Sequence, residues 1–501
     1  MQIRYIGHSC IAVEIAGKKI LCDPWWNGPA YTGQWFPYPV PRPEPGDSQK
    51  LDFLFISHGH EDHLHVPTLK TLSRDVTVVV PKYREPNLRD FLHGLGFARV
   101  LEVGHGQRRH LAPGITATVY INKEDSVLVL EGDGRVLVDA SDALHACSRH
   151  VIDHLIRQIR ARHPRIDTLF LGHSGASWFP NCIQITDDVG YDPALRERVF
   201  AENFAYIAQA LEPRLVVPIG GGFALLDDRH RWINEARWHG EDPCEALRRH
   251  GGAHIKSLRL APGDRLVGDE LVRGGTRLLG PEDADAELER LYGLQMSELR
   301  QRPEPDAGAL QRLLEDLRGN AARRARRVLE PQQRLICRID VRDVPEISFL
   351  VDCTRERATV IRCDRLRLAP MVLSTRLAVL EALATQDYGS ESIRIGYGAT
   401  LQLRKRDLPL RNALLAVLGR HPLPPTRAEA IVAWLRSPWR SFDVWRRELH
   451  WLRLTMRMRR GDVKRYNDIF SADPDRWSPL RADPLPPAHP NGHIDRHAAT
   501  P

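Results

Sequence analysis

The chain of 501 residues lacks most of the features that would fix its class at once. No apolar run approaches the roughly 18 to 20 residues that a helix needs to cross a bilayer. Met1 to Tyr5 leads straight into Gly7-His8, with neither an apolar core nor a small-residue cleavage site. Together these two absences predict a cytoplasmic protein. The eight cysteines are scattered without Cys-x-x-Cys pairing, so a zinc ribbon and a dense disulfide framework are excluded and reduced core thiols are expected. A P-loop, a dinucleotide-binding glycine fingerprint and internal repeats are also missing. Net charge is +7, from 71 basic and 64 acidic residues. That excess is too small over this length to require nucleic acid, which is not expected as a partner, and it accommodates an anionic small-molecule substrate.

What is present begins with length and apolar content. At 42% hydrophobic over 501 residues, two or three cores are expected. The most informative stretch is Phe53-Leu54-Phe55-Ile56-Ser57-His58-Gly59-His60-Glu61-Asp62-His63-Leu64. A buried strand stops abruptly, three histidines and an aspartate follow within six positions, and Pro67 and Leu69 look like the opening of a helix. Imidazoles and a carboxylate are borderline ligands suited to zinc, iron or manganese, and a tight loop after a strand can aim alternate side chains at one point. Histidines at i and i+2 with Asp and His at i+4 and i+5 could serve two adjacent ions. The plainer alternative is a polar loop whose histidines merely cap the strand.

His58-x-His60-x-Asp62-His63 after a hydrophobic strand resembles the signature of the metallo-β-lactamase superfamily. The resemblance implies an α/β fold, an αββα sandwich with metals at one edge of the two sheets, in which His58 and His60 hold one ion and Asp62 and His63 a second. The opening hairpin is similar too: a Gly7-His8-Ser9 break, a Gly17-Lys18 turn and Asp23-Pro24 at the end of a strand, which would bring His8 and Asp23 near the metals. Asp23-Pro24-Trp25-Trp26-x-Gly28-Pro29-Ala30 with Gly33-x-Trp35 further resembles the CMP-N-acetylneuraminate hydroxylase family, oxygenases that join a Rieske iron–sulfur domain to a metallo-β-lactamase-like domain. Gly172-x-Ser174-Gly175-Ala176-Ser177-x-Phe179-Pro180 and Ile395-Gly396-Tyr397 follow in the same order, so the similarity runs over most of residues 1 to about 425.

Two departures bear on activity. No Cys-x-His element of a Rieske centre occurs, so an oxygenase would take its electrons from a separate reductase. Hydrolytic members of the superfamily usually add a third histidine to the first ion and a last histidine after a late strand, where this chain has Val216 to Ile219 followed by Gly220-Gly221-Gly222. Asp142 sits where the resemblance puts a bridging carboxylate, with Asp139 as the fallback. His173, at the end of the apolar stretch 167–172, is the candidate for the missing imidazole and joins Asp62 as a catalytic candidate. Asn122 and Asp125 fall near the third-histidine position and could orient ligands. His105 is a weaker candidate.

The metallo-β-lactamase-like domain is expected over residues 1–272, a charged helical connector over 273–330, and a small α+β domain over 331–425 with a helix near Leu377 to Ala384 and a strand from Ser392 to Leu403. A Trp/Arg-rich helical segment is expected over 426–480, where seven arginines face two acids between Trp439 and Arg460, followed by a disordered tail over 481–501. The aromatic loop from Trp25 to Val40 either walls a pocket or packs outside the sandwich.

The preferred activity is hydrolysis of an anionic ester-type substrate. One or two divalent ions, zinc first and iron as the alternative, would lower the pKa of a bound water from about 15.7 to about 7, with Asp62 orienting it or accepting its proton. The alternatives are an iron oxygenase acting on a nucleotide-linked or sugar-containing anion, and a non-catalytic binding protein on the same fold.

Overall fold

A computed structural model describes residues 1–423 apart from 123–124, 146–148, 189–192, 239, 241 and 302, together with scattered positions between 426 and 453. The expected Trp/Arg-rich segment and tail therefore lie largely outside the described residues. Among the described residues no helix is long and apolar enough to cross a membrane.

Two sheets face one another. The first runs, in spatial order, Glu270–Val272, Arg265–Val267, Gln2–Gly7, Cys10–Ile15, Lys18–Cys22, Phe53–Phe55, Thr77–Pro81 and Arg99–Val103. The second runs Lys256–Ser257, Leu215–Ile219, Thr168–Gly172, Arg135–Asp139, Asp125–Gly132, Ile115–Asn122 and Gln107–Ala112. Period-two alternation assigns each side chain a layer. Ile20, Cys22, Phe53, Phe55 and Val79 point between the sheets, where they meet Val119, Leu128, Phe170 and Val217. Leu21, Leu54, Val78 and Val80 point outward and are covered by Leu69, Leu72, Leu92 and Phe97. Burial on both faces is why these strands read as unbroken apolar runs. The helices Arg149–Arg162 and Pro193–Leu211 cover the outside of the second sheet through Ile152, Leu155, Phe204 and Ala208. The αββα sandwich is thus present.

Turn chemistry sets the hairpin registers. Ala16 and Gly17 both take positive φ (46° and 72°) between Cys10–Ile15 and Lys18–Cys22, as do Asp133 and Gly134 (50° and 69°) between Asp125–Gly132 and Arg135–Asp139. Two successive positive φ values make the turn whose twist matches that of the strands it joins.

The α+β region is built on a third sheet, ordered Ile183–Ile185, Ala399–Leu403, Met371–Thr375, Leu335–Val341, Ser348–Cys353 and Ala358–Cys363. Its first strand comes from within the sandwich portion of the chain, pairing Ile183 with Leu401 and Ile185 with Leu403. The expected connector is two helices, Pro281–Arg300 and Ala307–Val328. Asp306 caps the second by accepting from Gly308 and Ala309 N–H, and its Leu313, Leu317 and Ala321 enter one core with Leu380, Leu383 and Leu414. Trp25, Tyr31, Trp35 and Phe223 belong to that same core, so the third sheet is packed directly on the aromatic loop. The expected strand from Ser392 is shorter, Ala399–Leu403. Glu391–Arg394 is helical, and Gly398 N–H closes a tight loop onto the Ser392 carbonyl at 2.8 Å.

Candidate metal centre

The site forms where strands end. Asp23 follows Lys18–Cys22, Ser57 and His58 follow Phe53–Phe55, Ser141 and Asp142 follow Arg135–Asp139, and His8 follows Gln2–Gly7. Side chains leaving several strands at one edge converge without any helix having to reach inward. His8, Asp23, Tyr31, Thr32 and Ser141 all take left-handed φ between 42° and 56°. Each costs on the order of 1 kcal/mol or more for a non-glycine residue, and such strain persists only where surrounding contacts dictate it.

Asp23 is the hub of the arrangement. Its carboxylate, 1% exposed, accepts from Ser57 N–H at 2.8 Å, Ser57 Oγ at 2.5 Å, Ser141 Oγ at 3.1 Å and His63 Nδ1 at 2.8 Å. A carboxylate accepts only, so the Ser57 hydroxyl proton is committed to Asp23. Ser57 Oγ must then accept from His58 Nδ1, 2.9 Å away. Both imidazoles are thereby protonated on Nδ1 and turn Nε2 toward the interior of the cluster, the orientation a metal-ligating histidine receives from its outer partner. Ser57 is itself fixed by Ser126 Oγ and Tyr83 OH, which donate to its carbonyl at 2.7 and 3.1 Å.

Around these two nitrogens stand three groups of two imidazoles and one carboxylate: His58, His60 and Asp125; His58, His63 and Asp142; and His8, Asp62 and His63. Within each, the donor atoms lie within 4.8 Å of one another. His58 Nε2 is 2.9 Å from His60 Nδ1 and 3.8 Å from Asp125 Oδ1. His63 Nε2 is 3.3 Å from Asp62 Oδ2 and 3.5 Å from Asp142 Oδ2, and it is buried without a hydrogen-bond partner. A buried ring nitrogen facing two carboxylates marks a place for positive charge, whether a proton on the ring or a metal ion between the three groups. These residues therefore fit a pair of divalent ions, one among His58, His60 and Asp125, one among Asp62 and His63 with His8 beside them, and Asp142 between the two.

Electrostatics point the same way. Burial pushes the His58 imidazole well below its usual range, and His63 and His60 push it further, so it stays neutral. Burial would also lower His63, but the Asp62, Asp142 and Asp23 carboxylates outweigh it and hold a proton there. What draws a proton to that spot draws a metal cation to it as well. Asp62 and Asp142 are held well below the usual carboxylate range despite burial, Asp62 by His63 and His8, Asp142 by His145 and His63. Asp139 behaves differently: burial and the neighbouring Asp23 push it up to about 8. It stands behind the cluster as a neutral acid that accepts from Ser141 N–H at 3.1 Å.

His173 lies beside Gly221, next to the Gly220 that borders Asp142. Its Nδ1 donates to the Ile219 carbonyl at 2.8 Å, burial and Arg259 push it down to about 3, and it belongs to none of the three groups found among the described residues. Gly221 explains the neighbourhood, since a Cβ there would stand 2.9 Å from His173 Cε1. His105 is tied to Gln158 Oε1 at 2.9 Å on another face. Asn122 acts on the loop rather than on an ion, donating to the Ala143 carbonyl at 2.7 Å beside Asp142. Sequence reasoning gave Asp125 only an orienting role and did not single out Ser57, Ser141 or Tyr31. Tyr31 OH donates to Asp62 Oδ1 at 2.5 Å. The available signal was the density of buried aromatics in the loop that follows Asp23.

The aromatic loop lies against the cluster. Trp25 is edge-on to His8 with ring centroids 5.0 Å apart, and Trp35 stacks on Phe223 at 3.5 Å and 4°.

Residues 2–155 match the model of the β-lactamase superfamily domain. The chain carries a β-lactamase superfamily domain. The two-sheet sandwich around it is the metallo-β-lactamase fold, and members of this superfamily are metal-dependent enzymes, hydrolases and hydroxylases among them. A Mycolicibacterium smegmatis protein named as a Rieske 2Fe-2S iron–sulfur protein is 30% identical over 288 residues, 52% of this chain and 52% of that protein. Mouse (Mus musculus) cytidine monophosphate-N-acetylneuraminic acid hydroxylase is 26% identical over 250 residues, 47% of this chain and 41% of that protein. The chain thus spans about half the length of the curated relatives it matches. Among solved structures, the diiron β-hydroxylase CmlA from Streptomyces venezuelae is 18% identical over 54% of each chain with a TM-score of 0.36. An isothiocyanate hydrolase from Delia radicum gut bacteria is 16% identical over 53% of this chain and 99% of its own, with a TM-score of 0.37. Likenesses of that size do not separate one chemistry from the other.

Proposed function

We propose that this protein is a metal-dependent oxygenase whose superfamily domain holds two iron ions and oxidises an anionic, nucleotide-linked or sugar-containing small molecule, with electrons from a separate protein. The observation that carries the proposal is Asp125. It joins His58 and His60 in one group, near the position at which the resemblance puts a third imidazole, and the late strand Leu215–Ile219 leads into Gly220 to Gly222 rather than a histidine. Two imidazoles and a carboxylate with open positions are the donor set of non-haem iron(II) oxygenases. The names of the Rieske and hydroxylase relatives support the same reading. The residues divide the work as follows. His58, His60 and Asp125 would hold one ion, Asp62 and His63 the other, and Asp142 both. Asp23 holds two of those imidazoles in the correct tautomer. Bound iron would supply electron transfer and oxygen activation that no side chain here can perform. Tyr31 and His8 each engage one oxygen of Asp62, so this carboxylate is anchored as a ligand rather than free to swing as a base. The aromatic loop, with Trp25 and Trp35 buried beside His8, excludes water from one side of the cluster.

Hydrolysis is the second reading, and the sequence favoured it. Two imidazoles and a carboxylate also form catalytic zinc sites, and a water acidified there would attack an ester-type anion with no electron partner. Anaerobic purification with metal analysis separates the two. Iron at about two equivalents, with oxygen uptake on addition of a chemical reductant, supports the oxygenase. Zinc with turnover of phosphodiester or lactone probes, and no oxygen uptake in the iron-reconstituted protein, would overturn it. A protein that takes up neither metal would be the non-catalytic binder.

A further inference from the structure

We infer that the third sheet holds the metal centre in register, acting through Tyr31 on Asp62, so that Tyr31 and Gly396 are positioning residues for the second ion. The inference rests on the reading of Asp62 as a ligand.

Tyr31 is 1% exposed, and two of its groups grip consecutive residues of the His-x-His-x-Asp-His loop. Its N–H donates to Glu61 Oε2 at 2.7 Å and its hydroxyl to Asp62 Oδ1 at 2.5 Å. Both Tyr31 and Thr32 take a φ of 56°, a conformation that L-residues leave unless held. The holding contacts come from far along the chain. Thr32 Oγ1 and Ser392 Oγ are 2.7 Å apart, bridging a separation of 360 residues. Gly396 lies so close that a Cβ on it would stand 2.7 Å from Tyr31 Cβ and 2.6 Å from the Ser392 carbonyl. Contacts under 3 Å to a buried carbon and a carbonyl leave no flexible end to move aside. The loop presenting Gly396 is itself tied down, with Gly396 N–H on the Glu391 carbonyl at 2.9 Å and Gly398 N–H on the Ser392 carbonyl at 2.8 Å. It leads into Ala399–Leu403, the strand that pairs with Ile183–Ile185. Tyr31 therefore sits between a hydrogen-bonded glycine loop on one side and a candidate ligand on the other. A ligand's outer partner typically governs metal affinity by 10- to 100-fold, and Tyr31 is that partner at Asp62 Oδ1, with His8 at Oδ2.

The test uses cobalt(II) as an optical probe on the full chain under anaerobic conditions, with a competing chelator to obtain both affinities. Wild type takes up two equivalents. Tyr31→Phe keeps the ring and loses the hydroxyl, and it should weaken the second ion about tenfold or more while leaving the first ion close to wild type. Gly396→Ala should weaken the same ion, and combining it with Tyr31→Phe should add little, since both act through one hydrogen bond. Should Gly396→Ala fail to fold, Ser392→Ala reports on the same contact more gently and should give a smaller loss at the second ion. Wild-type affinity for both ions in Tyr31→Phe would overturn the inference while the metal centre stood. Equal weakening of both ions would also overturn it, as would full additivity of the two substitutions. Wild-type protein that takes up no cobalt would overturn the metal reading itself, and the inference with it.

Discussion

Asn in place of Asp23 changes one atom at the hub of the cluster without changing its volume. The carboxylate accepts four hydrogen bonds in a setting 1% exposed, from Ser57 N–H, Ser57 Oγ, Ser141 Oγ and His63 Nδ1. A side-chain amide has one acceptor oxygen and one donor nitrogen. With its oxygen toward His63, the NH2 group faces the Ser57 N–H, donor against donor. With its oxygen toward Ser57, the NH2 faces His63 Nδ1 and drives the imidazole into the other tautomer, with Nε2 protonated and closed to a cation. Either way at least one charge-assisted bond of about 1.5–3 kcal/mol is lost. At about 1.4 kcal/mol per factor of ten, ion affinity at His63 should fall roughly 10- to 150-fold, in line with the loss expected for an outer partner of a metal ligand. The assay is a chelator-competition titration with iron(II) and with zinc(II), run beside thermal unfolding of the metal-free protein. Wild-type affinity for both ions in Asp23→Asn would refute the tautomer reasoning, because no placement of an amide preserves all four donors.

Four further outcomes are expected. Asp125→Ala should remove tight binding of one ion and leave the other, measured as metal per chain after desalting. His173→Ala should leave that stoichiometry at the wild-type value, because it belongs to none of the three ligand groups found among the described residues; loss of an ion would place it among the ligands after all. Gly222→Ala puts a Cβ 2.7 Å from His8 N and 2.8 Å from its Cα, backbone that cannot rotate away, so a drop in stability of about 1–3 kcal/mol is expected from overpacking and is read in urea. Burial lowers His230 to about 4, against about 6.5 for a free imidazole. The unfolded chain binds the extra proton between those values, so stability is full above about pH 6.5 and falls by about 1.4 kcal/mol per unit toward pH 4. In His230→Gln that part of the acid slope should vanish, and an unchanged slope would show that His230 is not the group responsible.

The sequence alone determined the sandwich and the edge on which its chemistry sits. Apolar runs of five or so residues, period-two alternation and turn glycines such as Gly17 are local signals, and a strand that stops at Ser57-His58 has little freedom over where its histidines go. Local order also decided that His58, His60, Asp62 and His63 share one loop. What it could not decide was the partnership of residues brought together from different strands. Asp125 and Asn122 pair across one hairpin, yet one side chain joins the His58 group and the other ties down the Ala143 loop. His173 ends a strand much as Asp142 does, but of the two only Asp142 falls in a ligand group among the described residues. A boundary near 272 reads naturally from composition, while Ile183–Ile185 crosses it to pair with Ala399–Leu403 and one core spans both sides. Only the tertiary structure sets the tautomers of His58 and His63 through Asp23 and seats Gly396 against Tyr31, because hydrogen-bond hubs and close contacts between distant segments leave no periodic trace along a chain.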